Sequence, residues 1–298
     1  MELRWRLERA CHFHGHLFVD GWAFSPSGPI QKVSVRLASG AVFPIGYGYS
    51  RPEAAEANGS HTVACGFSGD IPVGHPDEAR CHALIFDLGS ESLTLTIASI
   101  VEADPYFELF RQFTGRVAQL TDPVILEIGS RARSGNVNTD WLPAGSKYLG
   151  VDIVPGPNVD LVCDAHSLST QVAHESVDAV FSISTMEHLA MPWKVVLELG
   201  KVLKRGGLAF FATHQSWPLH DEPHDYWRFS SHTWPVLLNE ETGFALLDVA
   251  MGLPGSVLPH IAYGATVALD YQPASLGSAA LAQKVGNSRL RWDAEIPS

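Results

Sequence analysis

At 298 residues, with 46% hydrophobic and 17% charged residues, the chain has the length and composition of one or two folded domains rather than a disordered tract. A net charge of −12 excludes the broad basic surface that nucleic acid or an anionic membrane face requires. No apolar run reaches the roughly 20 residues of a membrane span, "MELRWRLERA" lacks the apolar stretch of a secretory signal, and Cys11, Cys65, Cys81 and Cys163 form no C-x-x-C pair. The expectation is a cytoplasmic protein with reduced thiols and neither nucleic-acid partner nor membrane span.

Up to about Ile100 the chain reads as β-structure. "HLFVDGWAFS", "KVSVRLASG", "VACGFSGDI", "HALIFDLG" and "LTLTIASI" are short, partly alternating runs separated by Gly, Pro, Ser and Asn. They predict a small antiparallel β-sandwich over residues 1–100, with Trp22 as a core anchor and "RPEAAEAN" as a loop or short helix.

From residue 101 to 298 the pattern changes. "DPYFELFRQFTGRVAQL" places Phe107, Phe110, Phe113 and Val117 at helical spacing, with Asp104 as N-cap and Pro105 at the first helical position. Apolar strands "PVILEIG", "KYLGVDI", "VDAVFSIS" and "GLAFFATH" follow, with a further strand-like run, "VDLVCDAHSL". "MPWKVVLELGKVLKRGG" reads as an amphipathic helix that Gly206 and Gly207 stop. Alternation of this kind predicts a Rossmann-like α/β domain, its parallel sheet covered by helices on both faces.

In such sheets ligands bind beyond the carboxyl ends of the strands. The first strand runs into "LEIGSRARSGN" and the second ends at Asp152, which suits the hydroxyls of a ribose. Ser130 and Arg131 follow Gly129, so the second glycine of a dinucleotide fingerprint is absent. Glu127, just before the loop, fits the ammonium of S-adenosylmethionine better than a phosphate.

The blocks "ILEIGS", "YLGVDI", "CDAHSL" and "VDAVFSISTMEHLAMPWKVVLELGKVLKRGG", in this order, resemble a class I S-adenosylmethionine-dependent methyltransferase of the type 11 kind. The resemblance implies that Glu127, Gly129 and Ser130 lie along the methionine end of the cofactor. It places Asp152 and Ile153 by the ribose and adenine, Asp164 and Ala165 at the adenine edge, and Ser184 and Glu187 beside the sulfonium and the acceptor. "WRFS" resembles a subset of bacterial methyltransferases tied to polysaccharide and secondary-metabolite pathways, and the first domain resembles β-modules found beside glycan-modifying enzymes.

"HQSWPLHDEPHDYWRFS", residues 214–230, follows the fifth strand and would cover the mouth of the pocket. His214 is the expected general base, with His188 as rival. Trp217, His220, His224, Asp225, Tyr226 and Arg228 are expected to face the acceptor, with an Arg228–Asp225 or Arg228–Glu222 pin as the other reading of the arginine. Pro218 and Pro223 argue against a helix, and no recognised metal spacing is present, so no metal is expected. The chain is thus read as a methyltransferase that O-methylates a sugar or other hydroxylated acceptor, small molecule or glycan, the alternatives being a non-catalytic nucleoside-binding scaffold or a glycan-binding module; a homodimer is open.

Overall fold

The computed structural model describes residues 3–293 apart from 14, 27, 58–62, 74–80, 134, 136, 258, 260, 262 and 268–273. The chain forms two compact units, Met1–Ala103 and Asp104–Ser298. Among the described residues no helix is long and apolar enough to cross a membrane.

The first unit contains β1 (Arg4–Phe13), β2 (His16–Phe24), β3 (Lys32–Leu37), β4 (Val42–Ser50), α1 (Pro52–Ala57), β5 (Ala64–Pro72), β6 (Cys81–Asp87), β7 (Ser92–Thr96) and α2 (Ile97–Glu102). Its strands make one antiparallel sheet in the order β1-β2-β5-β4-β3-β6-β7. The first half of β4 pairs with β3 and the second half with β5, and Gly48, at φ +96°, lies at an irregularity within the second half, between Tyr47 and Tyr49. The sheet folds over on itself: the rings of Phe67 on β5 and Phe86 on β6 are 5.9 Å apart, although β4 and β3 lie between those strands. In a flat sheet three strand spacings would separate them by about 14 Å. The two expected layers are therefore halves of one hydrogen-bonded sheet.

Trp22 is not the core anchor expected. Along β2 Leu17, Val19, Gly21 and Ala23 are buried on one face, so the two-residue period turns Trp22 to the other, where it is half-buried and stacks at 6.0 Å on Phe24, the one buried residue of that face. Gly21 occupies the core-facing position because a Cβ there would meet Phe67 at 2.5 Å.

The second unit begins with α3 (Pro105–Val117). Asp104 caps it, accepting from the Tyr106 N–H at 2.9 Å, and Pro105 opens it. The core stripe is Leu109, Phe113 and Val117, with Phe107 and Phe110 only half-buried. There follow β8 (Val124–Ile128), β9 (Lys147–Asp152), β10 (Leu161–Val162), β11 (Val177–Ile183), α4 (Pro192–Val202), β12 (Leu203–His214), α5 (Thr233–Leu237), β13 (Phe244–Gly255) and β14 (Ala274–Lys284). The sheet order is β10-β9-β8-β11-β12-β14-β13. The first five are parallel, while β14 runs antiparallel to both β12 and β13. The order reverses between β8 and β11, which puts a binding crevice beyond their carboxyl ends.

α3 packs on one face of this sheet, in the core of Phe113, Phe181 and Phe210; α4 packs on the other, with Val195, Val196 and Leu199 against Leu126 and Phe211. The connection from β8 to β9 carries no helix among its described residues. α4 stops at Val202, four residues before the expected glycines. The chain turns at once into β12, and Lys204–Gly207 form an irregularity between the Val177–Leu203 and Ala179–Leu208 pairs. The buried Lys284 ammonium fixes this junction by donating to the Leu203 carbonyl at 2.7 Å.

Candidate functional site

The loops after β8, β9, β10, β11 and β12 meet at the carboxyl edge of the second unit's sheet. Gly129 leaves β8 at φ +80°, and a Cβ there would lie 2.0 Å from Thr185 Oγ1, so only glycine admits this close approach. The Gly129 and Ser130 N–H groups both donate to the Val151 carbonyl, at 2.8 and 3.1 Å. Arg131, where the family pattern has a second glycine, donates its backbone N–H to Asp152 Oδ2 at 3.3 Å.

Glu127 is buried. Its carboxylate accepts from Tyr148 Oη, from Asn138 Nδ2 at 3.1 Å and from Asn158 Nδ2 at 3.4 Å. Burial pushes its pKa up, and the three neutral donors only partly oppose this. Tyr148 is pushed up in turn, by burial and by the carboxylate it serves. A buried carboxylate held by neutral groups, with the Ser130 hydroxyl buried and unpaired beside the same loop, is a donor set suited to an ammonium. These residues fit the methionine end of S-adenosylmethionine.

Asp152 accepts from Val154 N–H at 2.9 Å and Arg131 N–H at 3.3 Å; each carboxylate oxygen retains a lone pair for a hydroxyl. Ile153 next to it is exposed. Asp164 caps a short 3-10 helix, Ala165–Thr170, accepting from the His166 N–H at 2.9 Å and lying 2.7 Å from His166 Nδ1. His166 Nε2 accepts from the Met191 N–H at 3.2 Å, so this ring ties the edge after β10 to the segment after β11. Ala165 is buried.

After β11, Ser184 is exposed and sits at φ +51°, a strained conformation of the kind that gathers at functional sites. Glu187 is fully buried three residues on. Its Oε2 accepts from Thr213 Oγ1, and its Oε1 lies 2.6 Å from His214 Nδ1, 3.7 Å from His220 Nε2 and 3.8 Å from His188 Nε2. The His214 contact has ion-pair length without hydrogen-bond alignment. Burial pushes the Glu187 carboxyl up, but His214 and Thr213 outweigh it and the group ends below the ordinary range.

The connection from Gln215 to His232 has no regular helix or strand. It is fastened at both ends. The Gln215 N–H donates to the Leu276 carbonyl at 2.8 Å and the Phe229 N–H to the His214 carbonyl at 2.9 Å. The Tyr226 and Trp227 N–H groups both donate to the Glu187 carbonyl, at 2.9 and 3.2 Å. Trp217 stacks on His214, centroids 4.7 Å apart, and the Trp217 and Tyr226 side chains remain exposed enough to meet a ligand. His224 contacts Tyr226 Oη at 2.8 Å and stands away from the Glu187 cluster.

Asp225 and Arg228, expected at the acceptor, are turned to each other. Arg228 donates to both Asp225 oxygens, at 2.6 and 2.7 Å, and to the carbonyls of Trp217, Pro218 and Trp227. The Asp225 side chain is buried, also accepts from the His220 N–H, and is held by Arg228 below the usual carboxylate range. The pair is the loop's pin, the other reading of the arginine. A second ion pair joins the mouth: Arg133, from the loop after β8, grips both oxygens of Asp221. Arg133, Asn138, Tyr148, Asn158 and Thr213 carry no motif in the sequence; only the folded edge brings them to the acidic groups.

The family model described as a methyltransferase domain, of type 11, matches residues 126–211, from β8 into β12. No curated protein matches the chain. Among solved structures, a SAM-dependent methyltransferase from Aquifex aeolicus shares 15% identity over 63% of this chain and 93% of its own, with a TM-score of 0.40. One from Archaeoglobus fulgidus shares 14% over 59% and 92%, with a TM-score of 0.41. The CurJ carbon methyltransferase shares 16% over 64% and 58%, with a TM-score of 0.42. The second unit carries a methyltransferase domain, and the protein is an S-adenosylmethionine-dependent methyltransferase with S-adenosylmethionine as its cofactor.

Proposed function

We propose that the enzyme methylates a hydroxyl oxygen, on a sugar or another hydroxylated acceptor. The observation that carries this reading is the Glu187–His214 pair: a buried carboxylate 2.6 Å from the Nδ1 of an imidazole at the end of β12. A hydroxyl nucleophile gains from losing its proton, and an imidazole backed by a carboxylate is suited to take it. When bound, S-adenosylmethionine supplies an electrophilic methyl group on a sulfonium. Glu127 would hold its ammonium, Asp152 and Ile153 its ribose and adenine, Asp164 and Ala165 the adenine edge, with Gly129, Ser130 and Ser184 shaping the path between them.

His214 then takes the acceptor proton at Nε2, because Nδ1 is turned to Glu187. Trp217 and Tyr226 offer flat faces to the acceptor, and alignment of the hydroxyl with the methyl group contributes through proximity.

The test is transfer of labelled methyl from S-adenosylmethionine to a panel of sugars and other hydroxylated acceptors, and to amines of matching shape. Label in an ether supports the reading, and label only in amines refutes it. A chain that binds the cofactor and transfers nothing to any acceptor supports the scaffold reading instead.

A further inference from the structure

Glu187 Oε1 is the focus of more than one imidazole. His188 Nε2 and His220 Nε2 approach it to 3.8 and 3.7 Å from two sides, and the ligand-type atoms of Glu187, His188 and His220 all lie within 4.8 Å of one another. The outer contacts of each ring fix where its proton sits. His188 Nδ1 is 2.8 Å from the His224 carbonyl, which can only accept. His220 Nδ1 is 3.2 Å from the Pro218 carbonyl and 3.1 Å from Asp225 Oδ2, again acceptors only. With each ring neutral, the hydrogen sits on Nδ1 and an Nε2 lone pair turns inward.

Two imidazole lone pairs and a carboxylate oxygen thus converge with no donor between them. Glu187 Oε1 is buried and makes no aligned hydrogen bond, while Thr213 satisfies Oε2. A proton on Nε2 or a metal ion at the centre turns this convergence from repulsive to attractive. Ligand atoms about 2.0–2.2 Å from a tetrahedral ion lie roughly 3.4 Å apart, so the observed separations close onto an ion by small side-chain rotations. Nδ1 held by a carbonyl or carboxylate is also how metal-binding histidines are usually oriented.

We propose that Glu187, His188 and His220 form a binding site for a divalent transition-metal ion of zinc-like chemistry. Two imidazoles and one carboxylate select borderline ions over Mg²⁺ or Ca²⁺, which prefer all-oxygen shells. Three protein ligands leave a position open for water or a ligand hydroxyl. Asp221 Oδ2, 4.0 Å from His188 Nε2, is committed to Arg133 and stays outside the set. His214 Nδ1 lies 2.6 Å from the same oxygen without hydrogen-bond alignment and is not counted among the ligands. The site is read out by the metal alone, so its failure and that of the methyl-transfer reading are separate results.

The full chain, stripped by a chelator and dialysed, is titrated with Zn²⁺ by calorimetry and with Co²⁺ by visible absorption. One ion per chain is expected. His188→Ala and His220→Gln should each weaken binding by more than the roughly 100-fold that losing an outer partner costs. His232→Ala, an exposed histidine at the far end of the connection, should bind as the parent does and controls for adventitious histidine sites among the fourteen. Thermal melts establish that the variants are folded, and Glu187→Gln repeats the test without removing a ring. No binding by the parent chain, or equal binding by the parent and all three cluster variants, overturns the proposal.

Discussion

Glu187 Oε1 and His214 Nδ1 lie 2.6 Å apart, joining the segment after β11 to the last residue of β12. A carboxylate so placed holds Nδ1 inward and leaves Nε2 as the ring atom free to meet a proton. His214→Ala should therefore lower turnover by about 10²–10⁴ while leaving cofactor affinity nearly unchanged. Single-turnover transfer and calorimetry on the same preparation separate the two effects. Full turnover in His214→Ala would mean that transfer proceeds by alignment alone, or with His188 as the base.

Asp152→Ala should weaken S-adenosylmethionine binding by roughly 1–3 kcal/mol, the loss of a charge-assisted hydrogen bond. Calorimetric titration of a folded variant measures it, and unchanged affinity removes the ribose assignment.

Glu127 gives a pH signature. Its folded pKa is raised above the ordinary value of 4.5 because burial disfavours the charge. The fold thus favours the protonated acid, and this contribution is complete below the unfolded value and lost as pH rises through the folded one. Urea melts across that window should show stability falling with pH in the parent and a flatter curve in Glu127→Gln. Cofactor affinity should run the other way, strengthening as the carboxylate forms.

Gly129→Ala should cost about 1–3 kcal/mol in stability from the positive φ alone, and more because its Cβ would meet Thr185. The variant should melt lower and bind cofactor more weakly. Gly115, on α3 with open space at its Cβ position, tolerates alanine and serves as the comparison.

Removing Arg228 leaves the buried Asp225 carboxylate without its partner. Arg228→Ala should expose the 215–232 connection to proteolysis and raise the acceptor KM more than the cofactor Kd. Asp225→Asn combined with Arg228→Ala should be milder than Arg228→Ala alone, since no charge is then stranded. Equal damage in the two would show that the pair contributes through packing only.

Much of the second unit was legible because its parallel strands are buried on both faces and read as continuous apolar runs. Val124–Ile128 and Val177–Ile183 are of this kind. β14 was not legible: "ASLGSAALAQK" is built of small residues with weak strand preference, and it is a strand only because β12 and β13 pair with it on either side. β1 was not legible because three arginines and a glutamate fill its first six residues and break the apolar run, and β4 because Pro44, Gly46 and Gly48 read as turn residues. At the site, the strand-end acids could be placed by spacing. The partners of Glu127 and the meeting of His188 with His220 are tertiary, and no local pattern encodes them.

The position of β14 also governs the order in which the chain can complete itself during synthesis. β12 ends at residue 214 and β13 at 255, yet neither neighbours the other; both wait for residues 274–284 to fill the gap between them. Until then a long apolar strand edge stands open on the nascent chain, the condition under which edge-to-edge aggregation competes with folding. A ribosome-bound chain shortened before residue 274 would hold the strands that carry the acidic residues of the crevice but lack the one strand, β14, that joins β13 to the rest of the sheet.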